Sequence, residues 1–416
     1  MSATHLRRRT IVAIATPLLI GAMLAGCARG TGEEAIGAPG ITDSTITIGT
    51  TSPMSGSAAG VGTCAVDGAG AYFEARNADG GITFGDGKTR TVSFEGLDDG
   101  YDPQRALANY QNLTGDVFAM ALSLGTPTNR AWREAAIADG VPQVLVQTGD
   151  PLFSDREESP MQLGLIPVYQ QEGYAFGELL AGSGEEHRVA VLYQNDDFGE
   201  GYREGFLDAV ESADNVEIVK SLTFEATDTD ISAQITELAS SDADILFNAM
   251  SSLAPLVIGT LQQADSVGWH PSIFLPSTSS SPAALLQPSE VADAFPAIYS
   301  TASSLVVGTP EFEADEDGKA FLEAMAEYTD QDGAPAFPQC VWSWIGASIL
   351  EEAFIRMEEP TRESFMTALT SISDFDAPLL LPGGSIDTTV DGRAAMTGVA
   401  VQKYDGTSFA TVNALE

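Results

Sequence analysis

The sequence predicts an α/β protein of two doubly wound lobes joined by hinge crossovers, with a ligand cleft between them. Three observations predict it. Short β-branched runs alternate with amphipathic stretches, the rhythm of parallel βαβ units. That rhythm pauses near residues 164–168 and then restarts. About 375 residues follow an N-terminal leader, more than one hydrophobic core usually serves.

The elements follow in order. Residues 45–48 read as a strand, 65–78 as a helix closed by Gly80 and Gly81, and 91–94 as a strand. Residues 103–113 read as a helix with Asp102 as N-cap and Pro103 at its first position. A strand at 117–122, a helix at 128–139 and a strand at 141–146 complete the first unit. The second unit runs through a helix at 169–180, a strand at 189–193 and a helix at 200–212. A strand at 216–222, a helix at 231–240, a strand at 245–247, a helix at 253–264 and a short strand at 273–275 follow. Beyond residue 297 the pattern loosens, with helices at 318–328 and 339–357. In open α/β sheets ligands sit beyond the carboxyl ends of the strands, so two facing sheets would form a cleft at the lobe interface.

The N-terminus carries its own signal. Arg7, Arg8 and Arg9 precede an uncharged, mostly apolar stretch at 11–24 that ends Leu24-Ala25-Gly26-Cys27. This is the layout of a signal peptide over residues 1–26. The apolar stretch would rise about 21 Å as a helix, short of a bilayer core of roughly 30 Å. The Leu-Ala-Gly-Cys ending resembles a bacterial lipobox, which implies a diacylglycerol on Cys27 and a chain held at the outer face of the cell membrane. The three arginines fit either general secretion or twin-arginine export. Residues 27–40, rich in Gly and Ala and without apolar periodicity, read as a flexible tether. No later stretch is long and apolar enough to span a bilayer.

The formal net charge is −40, with only four lysines in 416 residues. Removing 1–26 takes away three arginines and no acid, so the remaining chain is more acidic still. Such a surface argues against nucleic acid as a partner, because phosphate binding needs clustered Lys and Arg. Two cysteines remain after Cys27: Cys64 and Cys340. In an oxidising compartment they are either a disulfide or two small buried side chains.

Several segments in a fixed order carry a family resemblance. They are Ile48-Gly49-Thr50-Thr51-Ser52-Pro53-Met54-Ser55-Gly56, Asn77-Ala78-Asp79-Gly80-Gly81-Ile82 and Asp98-Asp99-Gly100-Tyr101-Asp102-Pro103. Leu124-Gly125-Thr126-Pro127-Thr128-Asn129 and Tyr193-Gln194-Asn195-Asp196-Asp197-Phe198-Gly199 complete the set. Together they resemble the type I periplasmic-binding proteins of the leucine/isoleucine/valine-binding family, which serve ABC importers. The resemblance implies lobe one over 41–167 plus 303–383 and lobe two over 168–302 plus 384–416, closing by hinge motion. It implies a monomer that binds a small molecule, delivers it to permease subunits, uses no cofactor or metal, and is not an enzyme.

The resemblance also implies site residues. A ligand carboxylate would meet amides and hydroxyls of Gly125, Thr126, Thr148 and Gly149, as helix N-termini attract anions. Thr126 is the strongest candidate; its alternative role is an N-cap for the helix at 128. Phe198 would line the pocket from lobe two or serve as a core aromatic. Asp196 and Asp197 read as helix caps rather than pocket groups. Ser57, Val61, Met250 and Ser277 complete the expected lining. Two of these depart from the family pattern. Ser277, after Pro276, stands where amino-acid binders carry an acid for the ligand ammonium. Val61 stands where they carry an aromatic. The expected ligand is therefore a small carboxylate or amide: a hydrophobic amino acid or a related organic or aromatic acid.

Other motifs carry less. Gly60-Val61-Gly62-Thr63-Cys64-Ala65 fits a loose dinucleotide fingerprint but lies well past the first strand. There is no Gly-x-Ser-x-Gly elbow, and His187 and His270 are too few for a histidine triad or zinc site. Glu313, Asp315, Asp317 and Gly318 resemble a calcium loop, but Ala324 stands at the closing position instead of Glu. A ligand sensor that presents the same cleft to a signalling partner is the alternative function, with an extracellular hydrolase behind it.

Overall fold

The computed structural model describes residues 37–331 and 335–412, so Cys27 and the leader at 1–26 lie outside the described residues. The chain forms two main sheets. The first contains β1 (Thr45–Ser52), β2 (Ile82–Thr83), β3 (Thr89–Asp98), β4 (Ala119–Ala121), β5 (Gln143–Val146) and β6 (Gln162–Gly164). Their spatial order is β2-β3-β1-β4-β5-β6, parallel except where β2 pairs with β3. Helices α1 (Ala59–Ala78), α2 (Pro103–Leu113) and α3 (Thr126–Asp139) connect the strands. Every residue of β4 and β5 is buried, as expected for a parallel sheet covered on both faces.

After Gly164 the chain crosses into the second lobe and enters α4 (Tyr169–Gly182). The second sheet holds β7 (His187–Gln194), β8 (Val216–Phe224), β9 (Ile245–Ala249), β10 (Ser272–Phe274) and β11 (Ile298–Ala302) in the parallel order β11-β10-β9-β7-β8. Helices α5 (Asp197–Val210), α6 (Ser232–Ala239) and α7 (Ala254–Ser266) link them. Its core is aromatic. Phe206 stacks on Phe247 at 4.3 Å, Phe247 on Phe274 at 4.9 Å, and Phe274 on Phe176 of α4 at 4.7 Å. Each such ring contributes about 1.5–3 kcal/mol by leaving water.

The remaining chain crosses twice more. Beyond β11 it returns to lobe one, where the helix Pro338–Arg356 packs against α1. A small antiparallel sheet follows: β12 (Ser373–Phe375), β13 (Ser385–Asp387) and β14 (Met396–Thr397). The chain then re-enters lobe two as β15 (Ala400–Tyr404), antiparallel to β11, and β16 (Phe409–Thr411). The expected last crossover after residue 383 is therefore corrected to residues 397–400. The reason is backbone pairing: Ala395 N and Met396 N donate to Gly164 O and Leu165 O, each at 2.9 Å, which holds 384–397 on lobe one. The crossovers lie side by side at the hinge, where Leu305 N also donates to Leu379 O at 2.8 Å.

Helix α1 starts six residues earlier than its pattern predicts. Gly60 and Gly62 look like loop residues, yet a Cβ on Gly62 would lie 2.1 Å from Pro53 O. Gly62 lies flush against the chain leaving β1, and a Cβ on Gly60 would lie 2.4 Å from the Phe337 ring, so close packing and not irregularity calls for both glycines. Cys64 on this helix and Cys340 on the helix Pro338–Arg356 form a disulfide with Cα atoms 4.5 Å apart, 276 residues apart in sequence. It ties the first and last thirds of lobe one together. Replacing both cysteines with serine should lower unfolding stability by about 2–4 kcal/mol, read as a lower urea midpoint with a slope that is equal or steeper, since the unfolded chain is then less compact. An unchanged midpoint would show that the link adds nothing to the packed helices.

Candidate ligand-binding site

The carboxyl ends of both parallel sheets meet at the interface between the lobes. The turn from β4 into α3 places Gly125 at φ +109°, where a Cβ would lie 2.5 Å from Thr128 Oγ1 and 3.0 Å from the Tyr101 ring. Only glycine fits there. It is also the residue before the helix and makes no side-chain cap, so Thr126 lies inside α3 and does not act as its N-cap. The Thr126 hydroxyl is instead 2.8 Å from Thr148 Oγ1 and 3.1 Å from the Tyr169 hydroxyl, and Thr148 Oγ1 is 3.1 Å from the same hydroxyl. This triangle of buried hydroxyls lies beside the first-turn amides of α3, which have no partner within the helix.

Tyr169 opens α4, yet its N–H donates to Gly149 O of lobe one at 3.0 Å. Gly149 is required by that approach, since a Cβ would lie 2.5 Å from the Tyr169 ring. From the other side the ring packs on Phe198 at 4.7 Å and Tyr202 at 4.8 Å. Burial raises the Tyr169 phenol well above its ordinary value, so it remains a neutral hydroxyl.

The cavity at this point is lined by Val61, Gly125, Thr126 and Phe198 from the expected set, together with Ala58, Tyr101, Leu124, Gln147, Tyr169, Ser251, Ser252, Thr278, Gln339 and Trp342. Thr148 and Gly149 support it from behind. Ser57 does not contribute: it is exposed on the turn before α1, and its neighbour Ala58 faces the cavity. Met250 is fully buried in the lobe-two core and gives only its carbonyl to Ser279, while Ser251 and Ser252 reach the cavity. Ser277 lies in the wall of an adjoining chamber.

The acid absent at 277 is replaced from α4. The fully buried Glu172 accepts from Ser277 N at 3.1 Å and Ser277 Oγ at 3.0 Å, and also from Thr301 Oγ1. Burial raises its pKa and the three donors oppose that rise. Nothing in the sequence marks Glu172 except an acid on an otherwise buried helix face.

Besides the bonds of Tyr169, further contacts join the lobes across the cleft, among them Ser281 Oγ donating to Ala336 O. Tyr101, held at φ +65°, a conformation costing a non-glycine residue about 1–3 kcal/mol, lines the cavity together with Ser251 of lobe two. Its amide donates to Asp99 Oδ1 at 2.8 Å, and Thr51 Oγ1 donates to Asp99 Oδ2 at 2.8 Å. Arg130 of α3 bonds Asp150 at 2.5 Å and Asp197 of lobe two at 3.0 Å. Asp196 caps α5 as expected, accepting from Phe198 N and Gly199 N, whereas Asp197 pairs across the cleft. Asp315 of the calcium-like run caps the helix Glu316–Tyr328.

The buried amides of Gln147 and Gln339 add a further feature. Gln147 Nε2 donates to Leu122 O at 3.1 Å and Gln339 Nε2 to Thr278 O at 3.4 Å. Those carbonyl partners fix which end of each amide is nitrogen. Both Oε1 atoms are then buried acceptors without a partner. A ligand N–H or O–H would satisfy them.

The family model of periplasmic binding proteins matches residues 45–408. A fatty acid ABC transporter substrate-binding protein from Thermomonospora curvata superposes with TM-score 0.77 at 21% identity, covering 92% of this chain and 94% of that one. A branched-chain amino acid ABC transporter protein from Thermus thermophilus with bound valine gives TM-score 0.75 at 14% identity, covering 89% and 96%. A solute-binding protein from R. palustris in complex with benzoate gives 0.72 at 17%, covering 89% and 95%. At these identities the likeness establishes the fold. No curated protein sequence is significantly similar to the chain.

Asp99, under the cleft, titrates unusually. Burial raises its pKa from 3.8 to about 6, against the opposing bonds from Thr51 and Tyr101. A carboxyl raised in the folded state holds its proton more tightly there, so its contribution is complete below pH 4 and is lost as pH rises through 6. The loss by pH 7 is about 3 kcal/mol at most. Asp99→Asn should flatten the decline in stability between pH 4 and pH 7, measured by urea unfolding across that range; an unaltered slope would assign the titration elsewhere.

Proposed function

The chain belongs to the periplasmic binding protein family, and from that premise we propose that it is the extracytoplasmic solute-binding component of an ABC importer. The ligand would be a small carboxylate or amide enclosed by hinge closure. The observation that carries this reading is the hydroxyl triangle of Thr126, Thr148 and Tyr169 at the start of α3, buried where two parallel sheets face each other. Three neutral hydroxyls and free helix amides can solvate a carboxylate or a carbonyl without a lysine or arginine. Relatives of this fold bind valine, benzoate and, by name, fatty acids. Glu172 weighs against a free ammonium as the main determinant, because its oxygens are already bonded to Ser277 and Thr301. The unpaired oxygens of Gln147 and Gln339 favour a ligand that brings N–H or O–H groups.

The reading extends to address. No helix among the described residues is long and apolar enough to cross a membrane. Cys27 would carry the lipid, and a tether would hold the lobes near the permease as a monomer; its expected end at residue 40 is corrected to 36, because Ala38 packs on the core and Gly40 O accepts from Thr47 N at 2.7 Å.

A thermal-shift screen over amino acids, organic and aromatic acids and amides tests the function. A ligand at 100 times its dissociation constant should add about 2.7 kcal/mol. Thr126→Val should weaken the best ligand about tenfold or more, by removing one hydroxyl from its polar end. Equal affinity in the variant would move the polar end away from α3. Cys27→Ser should shift the protein from the membrane fraction to the medium; retention at the membrane would refute the lipid anchor.

A further inference from the structure

The cavity beside the hydroxyl triangle is about 30 Å³, room for a water molecule and not for a solute. A second cavity of about 280 Å³ adjoins it, close to the lower limit for small-molecule pockets. Trp342 lines both. The partition between them is the turn Ser277–Ser279 of lobe two against Pro338 and Gln339 of lobe one. It is weakly closed. Its bond from Gln339 Nε2 to Thr278 O is long, 3.4 Å, and Gln339 Oε1 is buried unpaired. The larger chamber is predominantly apolar, walled by Pro282, Ala283, Leu305, Val307, Phe337 and Trp342, and none of its described lining residues is charged.

We propose that this chamber is a subsite for the apolar tail of the ligand, whose polar end lies against Thr126 and Thr148. This rests on the solute-binding reading and narrows it: the ligand is an acid or amide with a chain longer than that of a branched-chain amino acid. The tail passes Trp342 as Gln339 leaves Thr278, and the freed amide turns to the ligand's polar end.

Calorimetry on the full-length chain with butanoate, hexanoate and octanoate, and with the three matching primary amides, tests the chamber apart from the polar end. Affinity should rise about tenfold or more from four to eight carbons in whichever series binds, as buried methylenes add to binding. Ala283 is exposed on the chamber wall, so Ala283→Trp fills the chamber without disturbing a core. That variant should lose the gain with length and keep the affinity for the four-carbon probe within about twofold. Affinity that is flat or falling with length, or an eight-carbon affinity untouched by Ala283→Trp, overturns the chamber and leaves the polar end standing. Absence of binding in both series overturns the polar end and the chamber with it.

Discussion

The cleft depends on Tyr169. Its amide and hydroxyl are bonded to lobe one, at Gly149, Thr126 and Thr148, while its ring packs on Phe198 and Tyr202 of lobe two. It stands directly after the first crossover, so a rotation about the hinge moves it little. The hydroxyl triangle can therefore persist whether the lobes are open or closed. The contacts that must break on opening are the more distant ones. Arg130 and Asp197 are 37% and 51% exposed, and exposed ion pairs are worth about 0–1 kcal/mol. Tyr101 parts from Ser251, beside which it lines the cavity, but keeps a backbone conformation that favours glycine. The exposed ion pair across the cleft is thus a weak restraint, as a protein that must admit and release a solute requires.

The same economy explains Glu172. A lone buried carboxylate is costly, and this one is tolerated because one backbone amide and two hydroxyls converge on it. Those bonds pin the irregular segment from Ser277 onward to α4 and β11. The carboxylate thereby shapes the wall of the cleft from behind. An acid placed directly at 277 would act on the ligand; an acid placed behind Ser277 acts on the protein.

The βαβ rhythm, the two lobes and the position of the cleft were legible because parallel strands buried on both faces leave continuous apolar runs. Thr126 was legible as a polar residue at a strand-to-helix turn, although its alternative role as a cap fell only when Gly125 proved to hold that position. What was not legible depends on tertiary approach. The start of α1 was hidden by glycines that serve close packing. The last crossover was hidden because β13 and β14 are three and two residues long, too short to show a period. Tyr101, Tyr169 and Glu172 read as a loop residue, a helix start and a helix acid; their roles arise from a positive φ, from a hinge and from burial that only the folded chain supplies. Ser57 and Met250 missed the cavity by one residue each, the shift that turns a side chain to the opposite side of a short extended or helical turn.

Charge sharpens the ligand class. The chain carries a net −40, yet among the described residues none lining either cavity is charged. At physiological salt the field of exposed acids decays over about 8 Å, so it neither guides nor bars a small solute at distance. Inside the cleft, where screening is weak, Asp99, Asp196 and Glu172 are acids whose pKa values burial raises, and Arg130 is already paired with Asp150 and Asp197. A free anion would meet those carboxylates with no cation lining the pocket to offset them. A neutral amide, a zwitterion or an acid binding with its proton avoids that repulsion and also supplies the donors that Gln147 and Gln339 lack. The absence of lysine and arginine from the described lining of both cavities, more than the absence of an acid at 277, is what selects among the carboxylate and amide ligands that the fold can hold.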